Sequence, residues 1–437
     1  MNKIIQISFL LLIGVSTFAQ IKQMDDLKYR RSSLHLVLVT TDDPILKEVE
    51  VLKSWDNYPF PDKYNEHRID LSKFAAGKPG VSFYEFATNY VNGRSQFPSS
   101  LVALKKMSND LDNKAYTEAV KEKVAEKIEK EKLAHKLLEK WFQIEPDGSC
   151  NMDLIKERGA YNATEMDALE ASHAKRGRAI LEDAGEELIG NTFVQFCKMD
   201  FYENEPIAKF SMMLANAIAA YSGPAEEAVR ASARVAYEAS KEGYSARAMA
   251  MLYKLNWNDS IMSEFYNCWI ADNKLDYQKF LALPFNMVFI GADISTSTAV
   301  APFGFNLDEK KLIELTVVRN LDKLFAKMQQ NYEVFKPKFP VISNPPLTAK
   351  LGLKEGVKGG EKFELLEQVW NDKLNKREYK RAGIVTIDKK QIWDNRYNAG
   401  EIPENPQIDK KTGEPVTATR FSKNKAAYPG MLLRQLK

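Results

Sequence analysis

The chain is 437 residues long, and its hydrophobic fraction of 44% and charged fraction of 28% are those of an ordinary globular protein. Its 62 basic and 59 acidic residues give a net charge of +3, which argues against nucleic acid as a partner, because proteins that bind nucleic acid carry a strong basic bias. Beyond the N-terminus no run of about 18 apolar residues occurs, so the sequence predicts no transmembrane segment.

The first residues have the three-part pattern of a secretion signal. Lys3 supplies a positive charge, residues 4–15 are mainly apolar, and small residues precede a cleavage site between Ala19 and Gln20. The apolar run, about 12 residues long, is shorter than the ~20 needed to cross a bilayer. A buried N-terminal helix is the alternative, and no cysteine lies nearby to carry a lipid anchor. We expect residues 1–19 to be removed and the mature chain to be periplasmic or secreted.

The N-terminal part of the mature chain mixes strands and helices. Residues 34–40 are apolar and rich in β-branched side chains, which predicts a buried strand, and Pro44 suits the first position of a helix ending near Trp55. Residues 109–142 predict one long charged helix, because a single apolar stripe recurs at a spacing of about four. The stripe consists of Tyr116, Val120, Val124, Ile128, Leu133, Leu137 and Trp141. We expect the stripe to pack against a core; a coiled-coil contact is the alternative.

Later segments continue this mixture. The patterns predict helices at residues 164–181, 207–221, 224–243 and 308–332, and strands at residues 190–202, 247–257, 261–270 and 286–291. No regular strand–helix–strand repeat emerges. An α+β fold, with a mixed main domain containing long helices, is therefore favoured over a doubly wound parallel sheet.

The last hundred residues change character after a proline cluster between Pro337 and Pro346. Short strands are predicted at residues 348–353, 362–369, 379–388, 391–397, 416–421 and 431–436, with an inserted exposed loop at 398–413. Strands at this density predict a small β-barrel. We expect an α+β main domain, of one or two subdomains, at residues 20–335 and a β module at residues 336–437.

Two runs near the C-terminus carry a family resemblance. Residues 351–365 (LGLKEGVKGGEKFEL) resemble the opening of small SH3-like β modules in bacterial envelope proteins, and residues 428–432 (YPGML) are similar to their last turn and strand. The region resembles in particular the C-terminal domain of flagellar-assembly protein T. This resemblance implies an SH3-like fold and no activity.

The whole mature chain also resembles a group of uncharacterised secreted proteins of Bacteroidetes-type bacteria. The resemblance rests on residues 29–34 (YRRSSL), residues 182–192 (EDAGEELIGNT), residues 393–397 (WDNRY) and the closing PGMLLR. It implies export and carries no chemistry.

One loop has the residue types of a metal site. His67 lies close in sequence to Asp62, Glu66 and Asp70, and such oxygen and nitrogen ligands can hold a divalent cation. The spacing matches no ordered metal signature, and polar loops often contain such residues. We therefore assign no metal and no cofactor.

The remaining histidines and the cysteines give no catalytic signal. His35 is expected in the first strand, His135 on the solvent side of the long helix, and His173 on a later helix. Among three cysteines, Cys197 and Cys268 fall in strand-like runs and are candidates for a disulfide, with three buried free thiols as the alternative. No C-x-x-C motif is present to indicate zinc or redox chemistry.

An acidic cluster precedes the strand at residues 190–202 and comprises Glu182, Asp183, Glu186 and Glu187. Carboxylate pairs hydrolyse glycosides when they face each other across a cleft, but the favoured expectation here is a solvated helix end. No known catalytic motif occurs, so no catalytic residue is assigned.

These observations favour an exported, periplasmic or outer-membrane-associated binding or assembly protein without catalytic activity. Its expected partner is an envelope protein, and peripheral contact with the outer membrane is a further expectation. The alternative is a secreted hydrolase of glycan or peptide that uses carboxylates of residues 182–187 or of the loop at 62–70.

Overall fold

The computed structural model describes residues 32–43, 45–109, 114–151, 153, 179–299, 308–371, 376–396, 407–409 and 412–436. The proposed signal peptide, Pro44, His173 and most of the predicted helix at 164–181 lie outside the described residues. We call residues 32–335 the body and residues 336–436 the module. The fold is α+β, as the sequence predicted.

The described helices are, in chain order, α1 (Glu48–Asp56), α2 (Phe83–Val91), α3 (Leu101–Asn109), α4 (Lys114–Lys130), α5 (Leu133–Phe142), α6 (Ala179–Gly190), α7 (Asn204–Ala219), α8 (Glu226–Ser240), α9 (Asp259–Tyr266), α10 (Tyr277–Ala282) and α11 (Glu309–Asn331). None of these helices is long and apolar enough to cross a membrane.

The described strands are β1 (Ser33–Thr40), β2 (Asn65–Glu66), β3 (Lys73–Ala75), β4 (Thr192–Glu203), β5 (Tyr244–Leu255), β6 (Trp269–Ala271), β7 (Lys274–Leu275), β8 (Met287–Ala299), β9 (Phe339–Ser343), β10 (Thr348–Ala349), β11 (Lys362–Asn371), β12 (Lys376–Thr386), β13 (Thr419–Arg420) and β14 (Leu432–Gln435).

The body is built on a six-stranded mixed sheet in the order β2-β1-β4-β5-β8, with β3 beside β1. Strand β1 runs parallel to β2, β3 and β4, while β4, β5 and β8 are antiparallel. Strand β4 is buried on both faces: Val194 and Phe196 pack on one side, and Phe193 and Cys197 on the other. This explains its nearly continuous apolar sequence.

Helices cover both faces of this sheet. The predicted apolar stripe packs on one face, where Val120, Val124 and Leu137 are fully buried. Helix α11 covers the other face with Leu321 and Leu324. Burying each such side chain contributes about 1.5–3 kcal/mol. The expectation that the stripe faces a core is confirmed. The stripe lies on two helices, α4 and α5, rather than on one, and residues 110–113 of the predicted helix lie outside the described residues.

The division between α4 and α5 has a local cause. Leu133 follows Ile128 by five positions instead of four, so a continuous helix would rotate the stripe away from the sheet. Lys132 adopts a left-handed conformation with φ of 48° and restarts the helix in register. The prediction of one unbroken helix was therefore wrong at this point.

The predicted strand at 261–270 was also wrong, because most of it is helix α9. The side chain of Asn258 accepts hydrogen bonds from the backbone N–H groups of Ser260 and Ile261, which caps and starts the helix. Only the last residues of the predicted segment, from Trp269, pair as a strand.

The module contains a second six-stranded sheet, in the order β12-β11-β14-β9-β10-β13. Its two outer strands meet: Ile387 bridges to Phe421, and the N–H of Ser422 donates to the carbonyl oxygen of Thr386 at 2.7 Å. The sheet thus curves around one apolar cluster that includes Phe363 and Leu433. The predicted strand at 391–397 is not formed; in its place, Trp393 makes a single bridge to Gly352.

Other predicted strands of the module are shorter than expected. Residues 348–353 form a strand only at β10, and residues 416–421 only at β13. Most of the predicted loop at 398–413 lies outside the described residues.

Candidate functional site

A polar cleft of about 710 Å³ lies beside α5. Three sets of residues line it: Ile69 and Asp70 before β3, then Lys136, Glu139 and Lys140 of α5, then Gln143, Ile144, Glu145, Ser149, Cys150 and Asn151. Pockets of this size accommodate small molecules or short segments of a polymer.

The floor of the cleft is a tight turn that follows α5. Gln143 is left-handed with φ of 47° and ends the helix, and Glu145 and Ser149 are joined by a backbone hydrogen bond. Gly148 has φ of 84°, and a Cβ there would lie 2.3 Å from the carbonyl oxygen of Leu275. Only glycine therefore fits this turn, which fixes the lining residues in place.

The cleft brings together three carboxyl groups. Asp70 and Glu145 have no side-chain partner among the described residues, whereas Glu139 accepts a hydrogen bond from the Tyr277 hydroxyl at 3.0 Å. Burial, reinforced by Glu139, raises the pKa of Tyr277, so this phenol remains a donor. Lys136 also lines the cleft, and its ammonium pairs with Glu131. Such a polar lining suits a ligand with several hydrogen-bonding groups.

The predicted metal loop does not assemble as a ligand set. His67 is buried, stacks on Trp141 at 4.7 Å, and places its Nε2 3.2 Å from the carbonyl oxygen of Leu137. Asp62 pairs with Lys63, and Glu66 with Arg68. Within the described part of the chain, no group of three or more His, Cys, Asp or Glu residues is arranged to hold a metal. Of the four candidate ligands in this loop, Asp70 lines the cleft.

Two members of the acidic cluster, Glu186 and Glu187, are partly buried and hydrogen-bonded. Glu186 accepts from the indole N–H of Trp257 at 3.1 Å and from the hydroxyl of Tyr266. Glu187 accepts from the Tyr379 hydroxyl at 2.8 Å. The expectation of a solvated helix end was therefore wrong for both residues; the side chains of Glu182 and Asp183 lie outside the described residues.

Glu187 connects the body to the module. Its partner Tyr379 is on β12, and the ammonium of Lys338 lies 3.7 Å from the same carboxylate and 4.2 Å from the Tyr379 ring centre. A carboxylate shared by a phenol and an ammonium makes a directional link between the two parts.

A second link joins α11 to the module. Asp322 is 5% exposed and accepts from the Tyr58 hydroxyl at 3.0 Å, while Lys354 of the module lies 3.7 Å from the same oxygen. The module's own Glu355 accepts from Asn395 and from the N–H of Gly352. Burial raises the pKa of Asp322 and of Glu355. The junction is thus polar and largely desolvated.

A charged pair on β4, formed by a buried lysine and a part-buried aspartate, was missed by the sequence analysis. Lys198 is 3% exposed and pairs with Asp200, and its ammonium lies 5.0 Å from the ring centre of Tyr116. The hydroxyl of Tyr116 donates to Asp43. The available signal was the spacing, since residues 198 and 200 fall on one face of an otherwise apolar strand. The pair is internally neutralised.

His135 and the cysteines occupy the core. His135 was expected to face solvent, but it is 6% exposed and packs edge-on against Phe280 and Phe285. The reason is that the break before α5 turns this side chain inward. All three cysteines are described and are buried free thiols, so the disulfide between Cys197 and Cys268 is not formed. Burial raises the pKa of Cys197 to about 12, which keeps it protonated.

Comparison of the chain with protein-family models and with curated proteins gives no match.

Proposed function

We propose that the chain is an exported protein of the bacterial envelope, periplasmic or associated with the outer membrane, that binds an envelope protein and serves in assembly without catalysis. In this proposal the body is a scaffold that holds the module. The SH3-like fold of the module, and the resemblance of the whole mature chain to secreted proteins of Bacteroidetes-type bacteria, belong to the same proposal.

The observation that carries the proposal is that Glu186 and Glu187 both accept hydrogen bonds from other side chains. These carboxylates are the ones a hydrolase built on the acidic cluster would need. Both are occupied by phenol or indole donors, and Glu187 ties α6 to the module through Tyr379 and Lys338. A carboxylate committed to such a link is not available to activate water or to protonate a leaving group.

Recovery of a partner tests the proposal. Affinity-tagged full-length chain would be captured from gently solubilised envelope of the native cell and its bound proteins quantified. We expect one envelope protein at stoichiometric yield. A strictly monomeric chain that recovers no envelope protein would contradict the proposal.

The cleft favours a second candidate function, a carboxylate-dependent hydrolase of glycan or peptide. Asp70, Glu139 and Glu145 line a space large enough for such a substrate. Hydrolysis by a carboxyl pair typically loses a factor of about 100 or more when the acid or base is removed. Glu139→Gln and Asp70→Asn should therefore abolish any glycan or peptide hydrolysis by the pure protein, with Glu378→Gln in the module as control. Activity that survives both changes excludes the cleft.

A further inference from the structure

The small net charge of the chain hides a strong asymmetry. Residues 336–437 contain 21 basic and 12 acidic residues, a net charge of +9, whereas residues 1–335 contain 41 basic and 47 acidic residues, a net charge of −6. A single-sign excess confined to one part of a chain is the electrostatic signature of a surface that attracts an oppositely charged partner.

Four of the module's cations are exposed and unpaired. Lys380 and Arg381 lie on β12, and Lys423 and Lys425 lie on the segment between β13 and β14. None of the four has a salt bridge or a side-chain hydrogen bond within the described part of the chain. By contrast, neighbouring acids are engaged: Glu367 accepts from Tyr428.

These cations lie on two segments that run next to each other. Ser422 is hydrogen-bonded to Thr386 of β12, and a Cβ on Gly383 would lie 2.6 Å from the side-chain amide of Asn424. Further along, the hydroxyl of Tyr428 lies 3.0 Å from Glu367, which is directly opposite Lys380 in the sheet. Residues 380–386 and 422–428 therefore run side by side along one edge of the module, and we call this edge the basic surface. Within it, Lys380 lies on the strand face of Glu367, and Arg381 and Ile384 lie on the other face.

This surface also exposes apolar groups among its charges. Ile384 is 48% exposed and Tyr428 is 42% exposed. Proteins that bind at the headgroup level of a bilayer typically combine aromatic or aliphatic side chains with lysines, because that layer accommodates both apolar and charged groups. A soluble polyanion would match the charge but would leave the apolar groups unused.

We infer that this basic surface, formed by Lys380, Arg381, Ile384, Lys423, Lys425 and Tyr428, docks the module on the anionic phospholipid headgroups of a membrane. The inference rests on the proposed envelope function, and it gives that function a peripheral attachment site. Each lysine or arginine near an anionic bilayer surface strengthens binding by roughly fivefold. Attachment by these cations needs neither a lipid anchor nor a spanning helix.

Vesicle co-sedimentation tests the inference with the chain from Gln20 onward, which retains every residue that the structure describes. We expect binding to phosphatidylcholine vesicles with about one third phosphatidylglycerol, and none to pure phosphatidylcholine. About 1 M salt, where the Debye length is near 3 Å, should release the protein. Equal binding to both kinds of vesicle, or to neither, would overturn the inference.

Matched variants locate the site. The variant with Lys380, Arg381, Lys423 and Lys425 all changed to Gln should bind at least about 100-fold more weakly. A control with Lys105, Lys106, Lys310 and Lys311 changed to Gln removes the same charge from exposed positions of the body and should bind like the parent. Loss of binding in the control alone, or equal loss in both variants, would contradict the assignment.

Two further measurements separate the alternatives. Tyr428→Ser should weaken vesicle binding by about tenfold, because the ring no longer reaches the interface. Tight binding to soluble polyglutamate or DNA without vesicle binding would assign the surface to a polymer instead. Partner capture from the envelope keeps the two proposals distinct. A four-Gln variant that captures the partner but no longer binds vesicles supports both proposals, whereas a parent chain that binds anionic vesicles but captures no protein contradicts only the assembly function.

Discussion

One charged site in the body and one in the module use their side chains in opposite ways. In the body, Lys198 is buried and paired with Asp200 beneath Tyr116. In the module, Lys423 and Lys425 reach solvent without a partner. A buried ion pair is costly to break, whereas an exposed unpaired cation adds little to stability. The difference indicates that the charge of Lys198 maintains the fold and that the charges of Lys423 and Lys425 are available for binding.

The largest effect is expected from breaking the ion pair between Lys198 and Asp200. Asp200→Asn leaves the Lys198 ammonium, 3% exposed, without its carboxylate. We expect the free energy of unfolding, measured in urea, to fall by about 3 kcal/mol. Lys423→Gln in the module is the control and should change it by less than about 0.5 kcal/mol. Equal effects of the two changes would remove the distinction between the two regions.

The next effect concerns the link between the regions. Tyr379→Phe removes the donor that Glu187 accepts from β12 but keeps the ring beside Lys338. We expect a loss of about 1 kcal/mol in urea unfolding, because a part-buried carboxylate loses a hydrogen bond. Tyr428→Phe removes a comparable but exposed bond to Glu367, so it should cost only a few tenths of a kcal/mol. A larger loss for Tyr428→Phe would contradict a structural role for the junction.

The smallest expected effect is a change in pH dependence at Asp322. Burial holds the pKa of this carboxyl above its ordinary value of 3.8, so just above that value the folded state binds more protons than the unfolded state. Its contribution to stability is therefore present at low pH and is lost as the pH rises. Asp322→Asn should become more stable relative to the parent between about pH 4 and pH 7.

Urea titrations of both proteins across that range measure this difference. Glu378→Gln, which leaves the contacts of Asp322 intact, serves as the control and should follow the parent. A stability of Asp322→Asn that falls relative to the parent as the pH rises would contradict the assigned direction.

Most of the secondary structure could be predicted from local patterns in the sequence. The apolar stripe from Tyr116 to Trp141 identified the helices that cover the sheet, because burial on one face requires that spacing. The same rule overlooked local backbone signals. Lys132 adopts a left-handed conformation and ends the helix there. Asn258 caps a helix in the segment at 261–270, whose apolar residues had predicted a strand.

The cleft and the contacts of the acidic cluster were harder to predict from the sequence. Asp70 was identified as part of an acidic loop, but its neighbours in the cleft come from α5 and from the turn after it. Glu187 and Tyr379 are 192 positions apart, and their contact depends on how the module docks on the body. Such long-range pairings leave no periodic trace in a single sequence, so the acidic cluster was expected to be solvated.

Fractionation of the native cell tests the central claim most directly, with quantification of the chain in the soluble periplasmic pool and in the outer-membrane pool. The account predicts that the chain sediments with membranes at low salt, together with one envelope protein, and that the four-Gln variant of the basic surface moves to the soluble pool. A chain found in the cytoplasm, or one whose distribution is the same for parent and variant, would contradict it.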